Sequence, residues 1–503
     1  MITMKVKAVK TSIKNLETPI LVIGLTEPAT KDPFLTTIEP ELQEKVKKLI
    51  ALGDFKGEQE EYALTYTDEL LKVKRIMLIG LGKEKELTLE DIRSIVGAKS
   101  RVIRDRGLKK VALLLESFCR GNFATEKVAK TLTEAMILGT YQNTAYKTKN
   151  LEKFKQIEEL SIISETHLVA SFSKGIKEGE IIAAAVNFCR DLAWSPANYI
   201  TPTYLAKEAE RIAKQYDSIT TTVFDRAKCQ EIGLHSFLAV AQGTEEPPKF
   251  IIMDYGSKLK DVDTIALIGK GITFDTGGIS LKPSLNMLNM KADMTGGAVV
   301  LAIMEALAQL KPKVHVVGLV PATDNMPSGK AYHPGDIIKS YSGQTIEVIS
   351  TDAEGRMIIN DALTYAARNY DPKAMFDFAT LTGSMMVALG NHAIGYFAND
   401  DQLAKKVEEA SKLSGERVWR FPLWEVYDKQ LKSDVADFKH TGGRPGGAIT
   451  AARFLSKFVE DKPWVHMDIA GYASQENDDG YNPKGSKGPA VRLMLELLTN
   501  WNE

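Results

Sequence analysis

The sequence predicts an α/β fold of two domains, each a mostly parallel or mixed sheet flanked by helices, with the chemistry in the C-terminal one. Three observations predict it. Short apolar runs alternate with helical patterns along most of the chain, the rhythm that builds a sheet covered on both faces. The 503 residues exceed what one core usually holds. Charge also divides unevenly: residues 1–150 carry 26 Lys+Arg against 20 Asp+Glu, and the remainder 38 against 45. Two surfaces of different character suit two domains.

The elements follow in order. PILVIGL at 19–25 reads as a strand, followed by a helix near 40–51. RIMLIGLG at 75–82 precedes a helix near 88–106, and KVALLL at 110–115 precedes one near 125–138. The polar stretch 146–153 reads as a loop, and 160–164 as a further strand. A long helical stretch, 174–193, contains few breakers and can join two domains. Thr201 is placed to cap a helix that starts at Pro202 and runs to about residue 216. Beyond it, 264–269 (TIALIG), 314–321, 345–349, 374–380 and 465–469 read as strands, and 298–310 and 357–368 as helices. The expected organisation is an N-terminal α/β domain over 1–165, a linking helix over 166–195 and a catalytic domain over 196–503.

Composition excludes several classes. Apolar residues make up 44% of the chain, enough to bury a core rather than remain disordered. Cys119, Cys189 and Cys229 lie far apart with no CxxC pair, so neither a disulfide framework nor a thiolate zinc site is expected. The seven His form no local pair and no HExxH. Neither GxxxxGK[ST] nor GxSxG occurs, which removes a P-loop and a nucleophile elbow. No run reaches 18 consecutive apolar residues, and residues 1–14 lack a signal-peptide apolar stretch, so a cytoplasmic protein without a membrane span is expected. Gly80 and Gly82 follow a strand without the third glycine of GxGxxG and read as core packing.

Two clusters carry candidate chemistry. KGITFDTGGISLKPSLNMLNMKAD, 270–293, begins where TIALIG ends, and ligands of open parallel sheets sit beyond the carboxyl ends of strands. It sets Lys270, Asp275, Lys282 and Asp293 around Gly277 and Gly278. STDAEGR, 350–356, puts Asp352 and Glu354 at the start of an apolar helix, where the dipole favours carboxylates. Taken singly, these acids read as capping and turn residues. Lys270, at the end of a buried strand, must find a partner or lie exposed. Four carboxylates and two lysines at two such junctions can form a dinuclear metal centre, one possibility among several from spacing alone. His440 and His466 read as satisfied structural histidines.

These two motifs resemble those of the leucyl (cytosol) aminopeptidase family, the M17 metallopeptidases. The resemblance continues through SPANYITPTYLA, NMPSGKAYHPGDIIKSYSGQTIEVI, ATLTGSMMVALG, GGAITAARFL and HMDIAG, and covers most of 185–495. Ser350 stands where the family commonly has Asn, and Asn360 where it often has Cys. The resemblance implies two divalent cations per subunit, Zn²⁺ or Mn²⁺ with Mg²⁺ admissible at one site. Lys270, Asp275, Asp293 and Glu354 would hold one; Asp275, Asp352 and Glu354 would hold the other, with the Asp352 carbonyl contributing. Lys282 would polarise the scissile carbonyl, and Arg356 would hold a bicarbonate ion acting as general base. Met290, Thr380, Gly383 and Ala473 would wall the side-chain pocket, Asp293 and Lys282 would contact substrate, and Leu381 would contact the intermediate through its backbone.

The implied activity is release of N-terminal residues, Leu preferred, from peptides by a cytoplasmic homohexamer. The implied N-terminal domain is macro-like, with an oligomeric or regulatory role. A lysine ligates only as the neutral amine, at a cost of roughly 4–5 kcal/mol at pH 7 from an ordinary pKa of about 10.4. A nearby dication can supply that energy. Lys282, without a metal bond, should stay protonated. Two alternatives stand beside this reading: an accessory DNA-binding role through the basic first domain, and a Cys-Gly dipeptidase. The basic excess is small and spread out, as ordinary solvated lysines are.

Overall fold

The computed structural model describes residues 4–68 and 71–502; the first three residues of the stretch read for a signal peptide lie outside it. One compact unit comprises Met1–Ala184 with Glu476–Lys484, the other Ala185–Gln475 with Gly485–Glu503.

The first unit runs β1 (Lys5–Lys10), β2 (Leu21–Leu25), α1 (Pro40–Leu52), β3 (Tyr62–Tyr66), β4 (Arg75–Gly80), α2 (Leu89–Asp105), β5 (Lys110–Leu114), α3 (Thr125–Gly139) and β6 (Glu159–Ser164), and then enters α4 (Ala170–Trp194). Its six strands take the order β1-β6-β5-β2-β4-β3, and every pairing is parallel except β3 with β4. Strand β2 shows why apolar runs were diagnostic. Leu21, Ile23 and Leu25 enter one buried cluster and Val22 the other, so both faces are covered. Helix α2 begins at a capping box in which Thr88 and Asp91 satisfy each other's backbone N–H.

The second unit continues α4 and adds α5 (Pro202–Gln215), β7 (Ile219–Phe224), α6 (Arg226–Ile232), α7 (His235–Val240), β8 (Lys249–Tyr255), β9 (Thr264–Gly269), β10 (Gly271–Asp275), α8 (Thr295–Leu310) and β11 (His315–Asn325). Then come β12 (Ile337–Lys339), β13 (Thr345–Glu347), α9 (Glu354–Tyr370), β14 (Ala374–Ala379), α10 (Gly383–Leu389), β15 (Ile394–Ala398), α11 (Asp401–Ser414) and β16 (Val418–Arg420). The chain closes with β17 (Phe438–Lys439), α12 (Gly447–Leu455), β18 (Trp464–Asp468), β19 (Ser474–Gln475), β20 (Gly485–Ser486) and α13 (Val491–Thr499). The main sheet has the order β16-β15-β18-β14-β9-β11-β8-β7, with β10 beside β11. Its centre, β18-β14-β9-β11, is parallel. Its flanks bring in the antiparallel pairs β15–β18, β11–β8 and β8–β7.

Thr201 caps α5 as expected, accepting the Tyr204 N–H at 3.2 Å. Strands β1, β3, β7, β8, β10, β15 and β16, and the short β12, β17, β19 and β20, lie outside the predicted set. In β1 and β7 exposed polar residues interrupt the apolar pattern, and β3 is a short edge strand with exposed tyrosines at both ends. Strand β8 runs antiparallel to both neighbours and β15 antiparallel to β18, which breaks the strand–helix repeat. The stretch Leu288–Leu310 is long and apolar enough by composition to cross a membrane, but 83% of it is buried inside the protein. Helix α8 is apolar because it is wrapped by core.

Candidate metal centre

The central strands end at one place. Lys270 follows β9, Asp275 ends β10, Asn325 ends β11, Thr380 follows β14 and Asp468 ends β18. The carboxyl edge of a parallel sheet collects these residues because each strand delivers one polar side chain as it leaves the core. Glu354 opens α9, and Asp293 ends the short 3₁₀ turn Leu288–Ala292.

The side chains converge. Carboxylate oxygens of Asp275, Asp293 and Glu354 all lie within 4.8 Å of one another, and all three residues are buried. Lys270 Nζ sits 2.8 Å from Asp293 Oδ2 and 2.7 Å from Glu354 Oε1, and it donates to the Thr380 carbonyl at 3.1 Å. Lys282 Nζ lies 2.8 Å from Asp275 Oδ2 and also pairs with Asp352. Asp352 is the open member: its side chain is 38% exposed, and it joins the others through Lys282. The turn carrying Asp275 needs its glycine. Gly277 has φ +86°, and a Cβ there would lie 2.5 Å from the Ser280 carbonyl oxygen. Its N–H in turn donates to Asp275 Oδ1 at 2.8 Å.

The electrostatics follow from burial and like charge. Burial raises the pKa of Asp275, and Glu354 pushes it higher; burial raises Asp293 most strongly. Burial also raises Asp352, despite Lys282. Glu354 ends lowered, because Lys270 and Lys282 outweigh its desolvation. For Lys270, burial pulls the pKa down, but Asp293, Glu354 and Asp275 more than reverse that and hold the ammonium. Lys282 behaves alike, with Asp275 and Glu354 offsetting burial. The acids thus favour the ammonium form of both lysines.

Arg356, on the first turn of α9, is buried. It donates through one terminal nitrogen to the His440 carbonyl at 2.8 Å, while its Nε, equally buried, has no partner among the described residues. Desolvation lowers its pKa to about 10. His440 is a satisfied histidine: Nε2 faces the Ser350 carbonyl at 2.8 Å, and Nδ1 accepts the Ile349 N–H at 3.2 Å. His466 departs from the expectation. Its Nδ1 meets Asp377 Oδ1 at 2.6 Å, but its buried Nε2 is unpartnered among the described residues. Phe397 and Trp464 both lie near-parallel to the ring, with centroids 5.9 and 6.2 Å away.

Of the expected pocket residues, Thr380 and Leu381 are tied to the cluster. Thr380 Oγ1 donates to Asp293 Oδ1 at 2.7 Å, and the Leu381 N–H donates to Asp468 at 3.2 Å. Met290 reaches it through its carbonyl, which accepts the Asp293 N–H at 3.2 Å. Gly383 opens α10, and Ala473 lies buried just beyond β18.

Sequence reasoning missed four supporting residues. Asn325 donates to both Asp275 Oδ1 at 2.8 Å and the Thr351 carbonyl at 3.0 Å. The Tyr332 hydroxyl donates to that same carbonyl at 3.1 Å. Thr351 itself donates to the Gly277 carbonyl at 2.6 Å. Asp468 accepts from the loop that follows β14. The available signal was position: Asn325 and Asp468 each end an apolar strand as Lys270 does.

The residues fit a divalent cation. Three buried carboxylates within 4.8 Å carry more like charge than a core tolerates unpaired. The cations that pair with them are the Lys270 and Lys282 ammonium groups, each on a flexible stem that can withdraw or deprotonate. Carboxylate oxygens with one amine nitrogen suit Zn²⁺, Mn²⁺ or Mg²⁺.

Comparison with known proteins agrees. A model of the cytosol aminopeptidase family, catalytic domain, matches residues 187–495, and a model of that family's N-terminal domain matches 22–150. A probable cytosol aminopeptidase of Roseiflexus castenholzii is 42% identical over 97% of this chain and 97% of its own. One from Chlorobaculum tepidum is 45% identical over 90% and 91%. Among solved structures, a mutant of tomato leucine aminopeptidase superposes with a TM-score of 0.87 at 33% identity, covering 99% of this chain and 96% of that one. The bottromycin maturation enzyme BotP in complex with Mn gives 0.85 at 30%, covering 97% and 100%.

Proposed function

The chain belongs to the cytosol aminopeptidase family and is an aminopeptidase, and from that premise we propose that it releases N-terminal residues, Leu best, from cytoplasmic peptides using two divalent cations and a bicarbonate ion. The cluster of Asp275, Asp293 and Glu354 within 4.8 Å, with Lys270 against two of them, carries the reading. Lys270, Asp275, Asp293 and Glu354 would hold one cation, and Asp275, Asp352 and Glu354 the other. When bound, the cations supply Lewis acidity and the bicarbonate a general base.

The chain's own groups do the rest. Lys270 would ligate as the neutral amine, a form the carboxylates alone oppose and a nearby dication would favour. Lys282 is partly exposed and keeps its proton; it donates to the oxygen that gains charge as the peptide carbonyl is attacked. Arg356 offers an unpartnered, desolvated N–H, the donor a small anion needs. Thr380 and Leu381 border the cluster; Thr380 would wall the pocket for the residue being removed, and Leu381 would contact the intermediate through its backbone.

The test is a substrate panel on protein stripped of metal and reloaded with Zn²⁺, Mn²⁺ or Mg²⁺. Leu-initiated dipeptides should be cleaved fastest, and N-acetylated ones not at all. No release from Leu-Gly with any of the three metals would sink the reading. Faster cleavage of Cys-Gly than of every Leu peptide would transfer it to the dipeptidase alternative.

A further inference from the structure

One peptide group in the centre is held from both sides. The Thr380 carbonyl accepts from Lys270 Nζ at 3.1 Å, and the Leu381 N–H of the same peptide donates to Asp468 Oδ1 at 3.2 Å. In a trans peptide these two groups point in opposite directions, so Lys270 and Asp468 clamp a single plane between them. The neighbouring residues tighten the clamp. Thr382 Oγ1 donates to Asp468 Oδ2 at 2.6 Å and accepts the Met385 N–H at 3.1 Å, capping α10. On the other side, Thr380 Oγ1 holds Asp293 Oδ1. Asp468 also accepts the Ala470 N–H at 3.2 Å.

We propose that Asp468 is the positioning residue of the centre: it fixes the Thr380–Leu381 peptide and, through that peptide's carbonyl, the orientation of the Lys270 amine. The proposal rests on the reading of Lys270 as a ligand. A neutral lysine amine has two N–H groups and one lone pair. Rotation about its last bond decides where the lone pair points. A carbonyl that accepts one N–H removes that freedom, as outer partners do for ligating histidines. The carbonyl can do so only if its own plane is fixed, and Asp468 fixes it. The position of Asp468 suits this task. It is 1% exposed, and burying a carboxylate is costly unless donors surround it. Two of the three donors named here come from the loop it holds.

The experiment titrates Mn²⁺ into the metal-stripped full chain by calorimetry, with thermal melting followed in parallel. Asp468→Asn keeps the shape of the side chain but places an amide where Thr382 or Leu381 needs an acceptor. It should melt cooperatively and bind Mn²⁺ at one of its sites about 10- to 100-fold more weakly. Thr382→Val should weaken it at least threefold. Trp464→Phe, on the same strand, removes a hydrogen bond to Asp377 instead and should leave affinity alone. Wild-type affinity in both Asp468→Asn and Thr382→Val, or an equal loss in Trp464→Phe, overturns the proposal. If Asp468→Asn does not fold, Thr382→Val decides. Lys270→Ala separates the two levels. Undiminished binding there defeats the ligand reading itself, whereas lost binding there with full binding in Asp468→Asn defeats only the positioning role.

Discussion

Asn325 holds Asp275 Oδ1 at 2.8 Å with the same side-chain nitrogen that reaches the Thr351 carbonyl at 3.0 Å. One amide thus ties the end of β10 to the turn that delivers Asp352 and Glu354. Leucine branches at the same atom with the same number of side-chain heavy atoms, though bulkier, and has no donor. Asn325→Leu should weaken metal affinity about 10- to 100-fold, as loss of an outer partner does. It should also cost roughly 1–3 kcal/mol of stability, because buried acceptors lose a donor. Metal titration and urea denaturation check both; unchanged affinity would refute the role given to Asn325.

Glu354 and Lys282 should separate binding from catalysis. Glu354→Ala removes a carboxylate from the cluster, so bound metal and rate should collapse together. Addition of Mn²⁺ should then no longer raise the melting temperature, whereas in the native protein a concentration 100 times Kd adds about 2.7 kcal/mol. Lys282→Ala should keep its metals, since it leaves Asp275 and Asp352 without their ammonium and the acids more in need of a cation. Its kcat should fall about 10²- to 10³-fold with the loss of one donor to the oxyanion. Metal analysis beside steady-state kinetics reads the contrast, and loss of metal in Lys282→Ala would contradict it.

Gly355 makes room for the ligating lysine. A Cβ there would lie 2.7 Å from Lys270 Cε and 2.8 Å from Nζ. Gly355→Ala improves helix propensity yet crowds the lysine tip in a packed site, and overpacking costs about 1–3 kcal/mol. The variant should fold, bind metal more weakly and lose at least about tenfold in rate by displacing a ligand rather than deleting it. Wild-type metal affinity in Gly355→Ala would show that the lysine tip does not need this space.

The pattern of legibility follows the strand order. Lys270 stood out because a lysine at the end of the buried strand TIALIG must find a partner or lie exposed, whereas Asp275, taken singly, read as turn chemistry. Asp352 and Glu354 were visible only as capping residues until the family resemblance gave them roles. Asn325 and Asp468 stayed hidden. Each is an ordinary polar residue closing an apolar run, and each gains its meaning from the neighbours β10 and β14. The order β18-β14-β9-β11 is not the order of the chain, so no local pattern shows that these four ends meet. Parallel strands and their helices were legible for the opposite reason: burial on both faces writes continuous apolar runs into the local sequence.

His440 should make stability depend on acid. Its Nε2 lies 2.8 Å from the Ser350 carbonyl, and its Nδ1 lies 3.2 Å from both the Ile349 N–H and the Glu347 carbonyl; the Ile349 N–H, which needs a lone pair, fits the neutral ring. Burial, with Arg356 adding to it, lowers its pKa from 6.5 to about 4. Burial and the nearby Arg356 oppose a second proton on the ring, a cost that the Ser350 and Glu347 carbonyls offset only in part, and a protonated Nδ1 would still face the Ile349 N–H. The folded pKa lies below the unfolded one, so the contribution is complete above pH 6.5. It is lost as the pH falls toward 4 and is constant below that. A shift of this size corresponds to about 3 kcal/mol. His440→Gln cannot titrate and keeps an N–H for Ser350. Unfolding free energies measured between pH 7 and pH 4 should therefore fall by about 3 kcal/mol less in His440→Gln than in the native chain. Carboxylates titrating over the same range are common to both proteins and cancel in the difference. Equal losses in the two proteins would mean that the ring accepts its proton in place, and that the strand leading to Asp352 does not depend on its neutrality.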